Sequence, residues 1–147
     1  MSQVISLRFQ DDQAVRLGRL ARRFGRKPSE MAMILVEEAL RTAEYGHIEF
    51  RGSPVGRQAY IIGTGLAVWE VAMVARDYSG DAEAVARHLR WPLVRVKAAL
   101  RYAADFKAEI DAALADNDSY DFAAVARLLP QAELFLVDSP TTGTAEE

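Results

Sequence analysis

The spacing of apolar and polar positions changes several times along this chain, and each change marks an element. Val4-Ile5-Ser6-Leu7-Arg8-Phe9 alternates in steps of two, which predicts a short strand with Ile5, Leu7 and Phe9 on one face and Val4, Ser6 and Arg8 on the other. After Asp11-Asp12 the apolar positions are Ala14, Leu17, Leu20, Ala21 and Phe24. Their spacing of three and four predicts an amphipathic helix, favoured at its start by the two aspartates and stopped by Gly25. A second helix is expected from Pro28, with Glu30 at the capping-box position. Its middle, Met31-Ala32-Met33-Ile34-Leu35-Val36, is apolar all round and is therefore expected to be buried on every side.

Gly46, Gly52, Pro54 and Gly56 break the helical pattern, and Ile48-Glu49-Phe50 and Tyr60-Ile61-Ile62 read either as short strands or as linker. Helical spacing returns over Val68 to Tyr78 and in a short piece capped by Asp81 that ends near His88-Leu89. After Trp91-Pro92 comes a longer helix carrying Val94, Val96, Ala99, Leu100, Ala103 and Phe106. Finally Tyr120, Phe122, Val125, Leu128 and Leu129 recur at helical spacing before the apolar run Leu134-Phe135-Leu136-Val137. The expected organisation is a first unit over 1–46, a small helical domain over 47–118 with a short β element at its start, and a tail over 119–147.

A strand followed by two helices has no internal partner for the strand's backbone groups and buries too little surface to offset chain entropy. A second copy would supply both. Ser6-Leu7-Arg8-Phe9, the turn Gly25-Arg26, and Ser29-Glu30 opening an apolar helix resemble the ribbon-helix-helix repressors of the Arc/CopG type, over roughly the first third of the chain. The resemblance implies a mainly α protein with an intertwined homodimer at its head, one strand and two helices per copy, whose paired strands enter the major groove of operator DNA. Val4, Ser6 and Arg8 would then face the groove. The planar fork of Arg8 matches O6 and N7 of guanine, Ser6 serves either base type, and Val4 makes only apolar contact with a thymine methyl. The alternative for this stretch is an ordinary helical hairpin packed on the rest of the chain.

Charge supports DNA locally. The 147-residue chain has a net charge of −3, yet between Arg8 and Lys27 seven basic side chains face only Asp11 and Asp12, a local charge of +5. Phosphate contacts supply most of the affinity in such interfaces, and the start of the second helix at Lys27, Pro28 and Ser29 offers an expected anion site. Some of these arginines form a solvated face, Arg16 and Arg23 first among them.

The segment Ile62-Gly63-Thr64-Gly65-Leu66-Ala67-Val68-Trp69-Glu70-Val71 and the run Val94-Arg95-Val96-Lys97-Ala98-Ala99-Leu100-Arg101-Tyr102-Ala103 resemble a small family of uncharacterised all-helical domains that recurs in the DNA-binding half of antitoxins paired with PIN-domain ribonuclease toxins. Members of that family usually carry an arginine and a proline where this chain has Gly65 and Ala67. A short helix, a turn and a longer helix is also the plan of a helix-turn-helix. Arg95, Lys97 and Arg101 would then be a second set of DNA contacts, with Arg87 and Arg90 near the turn. Ser53 to Asp118 holds eight basic and nine acidic residues, so a dimerisation or docking module remains the other reading.

From Ser119 onward Arg127 stands against Asp121, Glu133, Asp138, Glu146 and Glu147, a charge of −4. Acidic residues interleaved with regularly spaced Tyr120, Phe122, Val125, Leu128, Leu129, Leu134 and Phe135 suit a segment that folds on a partner, here a toxin with a basic RNA groove. The alternative is that Tyr120 to Leu129 folds back on the second domain; Thr141 to Glu147 reads as disordered.

Little points to catalysis. His47 and His88 have no metal-binding spacing, Gly63-Thr64-Gly65 is too short for a phosphate loop and lacks its lysine, and there is no cysteine. No cofactor is expected. No run approaches a membrane span, and a cytoplasmic protein is expected. Taken together, the residues and resemblances imply the antitoxin of a type II toxin–antitoxin pair, which represses its own operon as a DNA-bound homodimer and neutralises a PIN-like ribonuclease toxin. The alternatives are a stand-alone repressor and an oligomerisation protein that does not bind DNA.

Overall fold

The computed structural model describes residues 1–135 and contains seven helices and one antiparallel hairpin among them. Two helices form the head, α1 (Asp11–Arg23) and α2 (Pro28–Glu44). The body follows with β1 (Ile48–Ser53), β2 (Gly56–Ile61), α3 (Val68–Asp77), α4 (Ala82–Leu89), α5 (Leu93–Asp105) and α6 (Lys107–Asp118). A last short helix, α7 (Phe122–Leu128), lies beyond it. The Leu136-Val137 end of the apolar run and the segment Thr141 to Glu147 lie outside the described residues.

Local chemistry explains most boundaries. The Gln13 side chain accepts the Gln10 N–H at 3.0 Å, Glu30 accepts that of Lys27 at 3.2 Å, and Glu70 accepts that of Ala67 at 2.7 Å, three uses of the third helical residue to satisfy a donor at a helix start. Asp81 caps α4 directly, accepting from Glu83 and Ala84. Gly25 adopts φ +60°, the left-handed conformation that ends α1 and reverses the chain into α2.

The expected N-terminal strand is not formed. Residues 1–10 are irregular, and Val4, Ile5, Leu7 and Phe9 are exposed. The sheet comprises only β1 and β2, paired Ile48 to Ile61 and Ser53 to Gly56. The ribbon-helix-helix architecture expected from the opening alternation is thus corrected: the head is a helical hairpin preceded by an unpaired segment. Alternation selects a face but makes no hydrogen bonds, and among the described residues no backbone pairs with this one. The α2 core is also less buried than its composition implies. Met31 is buried, but Met33, Val36 and Leu40 are 76%, 48% and 52% exposed, because α1 and the hairpin cover only part of the helix.

The hydrophobic core lies in the body. Ile48, Ala59 and Ile61 of the hairpin pack with Val68, Val71 and Ala75 of α3, Val85 and Ala86 of α4, Val96, Ala99 and Tyr102 of α5 and Ile110 of α6. α3 packs on α5 and α6, and α4 packs on α5. Two charge clusters, one buried at Glu38 and one partly exposed around Arg41, join the head to this core. Glu38 of α2 takes Arg57 of β2 through both carboxylate oxygens, at 2.6 and 2.7 Å. Arg41, its side chain 17% exposed, donates to Glu37 at 2.7 Å, to Tyr102 Oη at 2.7 Å and to Glu109 at 2.6 Å, and its guanidinium lies 3.8 Å from the centre of the Phe106 ring. Tyr45 Oη adds a 2.8 Å hydrogen bond to Asp105.

Candidate nucleic-acid interface

The amphipathic spacing of α1 turns Ala21 inward and leaves Arg16, Arg19, Arg22 and Arg23 exposed, and the turn adds Arg26 and Lys27. Positions 16, 19 and 23 follow one another at intervals of three and four and so share a face of α1, while Arg26 lies beyond the Gly25 reversal. Arg16 lies 3.9 Å from Asp12; among the described residues no carboxylate is within ion-pair distance of the other five. Beside this face lies an open groove of about 480 Å³ floored by Phe9, Leu17, Leu20 and Leu35 and rimmed by Arg16, Arg19 and Arg23. Cations that outnumber their counter-charges around an apolar floor, here with only Arg16 paired, form a surface of positive potential, which attracts polyanions.

The expected anion site at the start of α2 has a different composition. Pro28 has no N–H, and Lys27 donates its own to Glu30, so a carboxylate of this chain already occupies that end; Lys27 and Ser29 remain exposed. Val4, Ser6 and Arg8 lie on the irregular segment, all exposed, and among the described residues no side-chain hydrogen bond or ion pair ties them to the α1 cations.

In the body the three candidate contacts separate. Lys97 and Arg101 are exposed on α5. Arg95 is half-buried, with Nη2 3.5 Å from the place a Cβ on Gly63 would take, so it packs against the turn that follows the hairpin. Arg51 also holds this turn, donating to Thr64 O at 2.9 Å while pairing with Glu49.

The tail residues share exposure. Tyr120, Phe122, Leu128, Leu129, Leu134 and Phe135 are exposed, Val125 is half-buried, and α7 has no buried residue. Among the described residues this segment does not fold back into the core, the alternative raised by its spacing.

His88 Nδ1 lies 3.0 Å from Tyr78 Oη, and His47 occupies a turn position with φ 64°. Among the described residues no three His, Asp or Glu side chains are placed to hold a metal ion, and no helix is long and apolar enough to cross a membrane. Sequence reasoning did not find the Glu38–Arg57 and Arg41–Glu109 pairs. Their partners are 19 and 68 residues apart, and no local periodicity links such positions. No protein-family model, curated protein or solved structure matches this chain.

Proposed function

We propose that this chain is a DNA-binding regulator that acts as a homodimer, represses its own operon, and holds a ribonuclease-type toxin through its C-terminal region. The observation that carries the reading is the row of exposed cations on α1 and the following turn, in a chain whose net charge is −3. Surface cations that serve only solubility are commonly interleaved with carboxylates, as Lys107 and Asp111 are on α6. The α1 row lacks them beyond Asp12 and suits phosphate contact with counterion release. The exposed apolar row Met33, Val36 and Leu40 on the neighbouring helix suits a second copy, which would double the number of cations presented to one duplex. The exposed apolar residues of α7 and the segment after it favour a tail that has a protein partner over a stand-alone repressor.

The test is fluorescence anisotropy of the full chain on duplex DNA from upstream of its own gene, across a salt series. Tight binding that weakens steeply with salt, and is reduced by Arg19→Ala with Arg23→Ala, supports the reading. Absence of binding at low salt overturns it. Retention of a co-expressed toxin by the wild-type chain, lost on Phe122→Ser with Leu129→Ser, tests the tail.

A further inference from the structure

Between the head and the hairpin lies an open groove of about 820 Å³, within the size range of binding sites. One wall is α2, which contributes Met33 and Ile34; the other is the hairpin, which contributes Phe50 from β1 and Val55 from its tip. These walls are fixed against each other. Gly52 has no side chain, and the Phe24 ring lies 3.4 Å from where a Cβ there would stand, so the end of α1 seats directly on β1. Glu38 and Arg57 clamp α2 to β2, and Ser53 Oγ closes the hairpin tip by donating to Gly56 O at 2.7 Å. A groove held open by its own scaffold loses little conformational freedom when it is filled.

Charge at this groove is unevenly matched. Four basic and three acidic side chains line it. Glu38 is taken by Arg57, and Glu37 and Glu109 are both taken by Arg41. Arg23 and Arg26 are left over, and among the described residues no carboxylate is within ion-pair distance of either. A segment complementary to the groove is therefore apolar along its length and acidic where it meets the end of α1. The chain itself carries one. Leu134-Phe135-Leu136-Val137 has Glu133 before it and Asp138 after it, and no basic residue follows Arg127. Leu134 and Phe135 are 60% and 78% exposed, and neither borders the groove of its own chain. Met33 of the groove also belongs, with Val36 and Leu40, to the exposed α2 row that the proposed function gives to a second copy.

We propose that this groove receives the segment Glu133 to Asp138 of a second copy, its apolar side chains against Met33, Ile34, Phe50 and Val55 and its flanking carboxylates on Arg23 and Arg26. In a two-fold dimer the exchange is reciprocal, and the first contact raises the effective concentration of the second. The docking itself needs no nucleic acid. Its consequence rests on the proposed function: Arg23 and Arg26 stand among the cations assigned to DNA, so a seated segment neutralises them, and a protein partner that holds the tail frees them.

The chain has no cysteine, so introduced cysteines report the contact. Full-length Val55→Cys carrying a size tag is mixed with untagged Phe135→Cys under a mild oxidant; in the control Val94→Cys, exposed on α5 outside the groove, replaces Val55→Cys. Val55 and Phe135 are both exposed, so both variants keep the fold, which circular dichroism checks. The expected result is a disulfide-linked pair of tagged and untagged chains, several-fold more abundant than in the control. A fluorescein-labelled peptide of residues 131–140 is expected to bind the full chain carrying Leu134→Ser with Phe135→Ser. Its affinity falls by about tenfold when Arg23→Glu and Arg26→Glu are added, and a peptide with Glu133→Lys and Asp138→Lys restores it. Cross-linking no stronger than in the control, or a peptide affinity indifferent to the charge reversal, overturns the docking. Leu134→Ser with Phe135→Ser should also raise the affinity of the full chain for DNA, and an unchanged affinity overturns the masking. Cross-linking without DNA binding at low salt leaves the docking standing while the proposed function falls, and DNA binding without cross-linking does the opposite.

Discussion

Glu38 of α2 and Arg57 of β2 face each other through two parallel hydrogen bonds of 2.6 and 2.7 Å, and Glu38, 9% exposed, is the one buried charged residue among those described. The pair fixes the head against the hairpin, and Arg57 also lies 5.9 Å over the ring of Phe24 at the end of α1. A planar bidentate pair is geometrically exacting, and it keeps each buried charge matched.

Removing one partner leaves the other charge buried without compensation. Glu38→Ala is expected to lower stability by about 3 kcal/mol, and Arg57→Met to cost less because it strands a carboxylate that can take up a proton. Urea denaturation of both single variants and the double variant checks this. The double variant should recover part of the loss, and additive losses would show that the pair is not coupled.

Tyr102 gives the fold a limit at high pH. Burial, the largest influence, raises its hydroxyl from 10.0 to about 12, with Glu109 acting in the same direction and Arg41 in the opposite one. The unfolded chain releases this proton near 10.0 while the folded chain keeps it, so the stability contribution is complete below 10.0, falls between 10.0 and about 12, and levels off above. Tyr45, whose hydroxyl is raised by its hydrogen bond to Asp105, adds to the same fall. Denaturation midpoints measured through that range should decline, and the decline should be shallower in Tyr102→Phe. A wild-type midpoint that does not change with pH there would contradict the buried, neutral state of the hydroxyl.

Arg90 is held in a backbone conformation that disfavours any side chain beyond glycine. Arg90→Gly is expected to raise stability by about 0.5–1 kcal/mol, seen as a higher urea midpoint. An unchanged or lower midpoint would show that the arginine side chain offsets the strain of its backbone.

The tail should contribute nothing to the fold. Phe122→Ser with Leu129→Ser is expected to change stability by less than about 0.5 kcal/mol, since α7 buries no residue. A loss of several kcal/mol on thermal denaturation would mean that this segment packs into the body in solution.

The pattern of the chain carried the helices up to α5, but it did not mark α6 (Lys107–Asp118), which buries only Ile110 and so shows no apolar stripe. The three-and-four spacing of Leu17, Leu20 and Ala21, Pro28 at the start of α2, Asp81 before α4 and Trp91-Pro92 between α4 and α5 each act within a few residues of themselves, and local hydrogen bonding and backbone stereochemistry suffice to place them. Of the hairpin only the strand-like pieces Ile48-Glu49-Phe50 and Tyr60-Ile61-Ile62 were legible, with linker as the other reading; that they extend to Ser53 and back to Gly56 and pair with each other was decided by the structure. The opening alternation failed because a strand exists only through a partner, and Val4 to Phe9 have none among the described residues. The apolar middle of α2 misled in a related way: composition says which side chains prefer burial, and only the arrangement of α1 and the hairpin decided that Met33, Val36 and Leu40 remain outside. The tertiary structure alone also brought Arg41 to Glu109 across 68 residues, sent Arg95 to the Gly63 turn, and set Lys97 and Arg101 on an open face. Those outcomes depend on how helices pack, a property of pairs of distant segments that no single segment encodes.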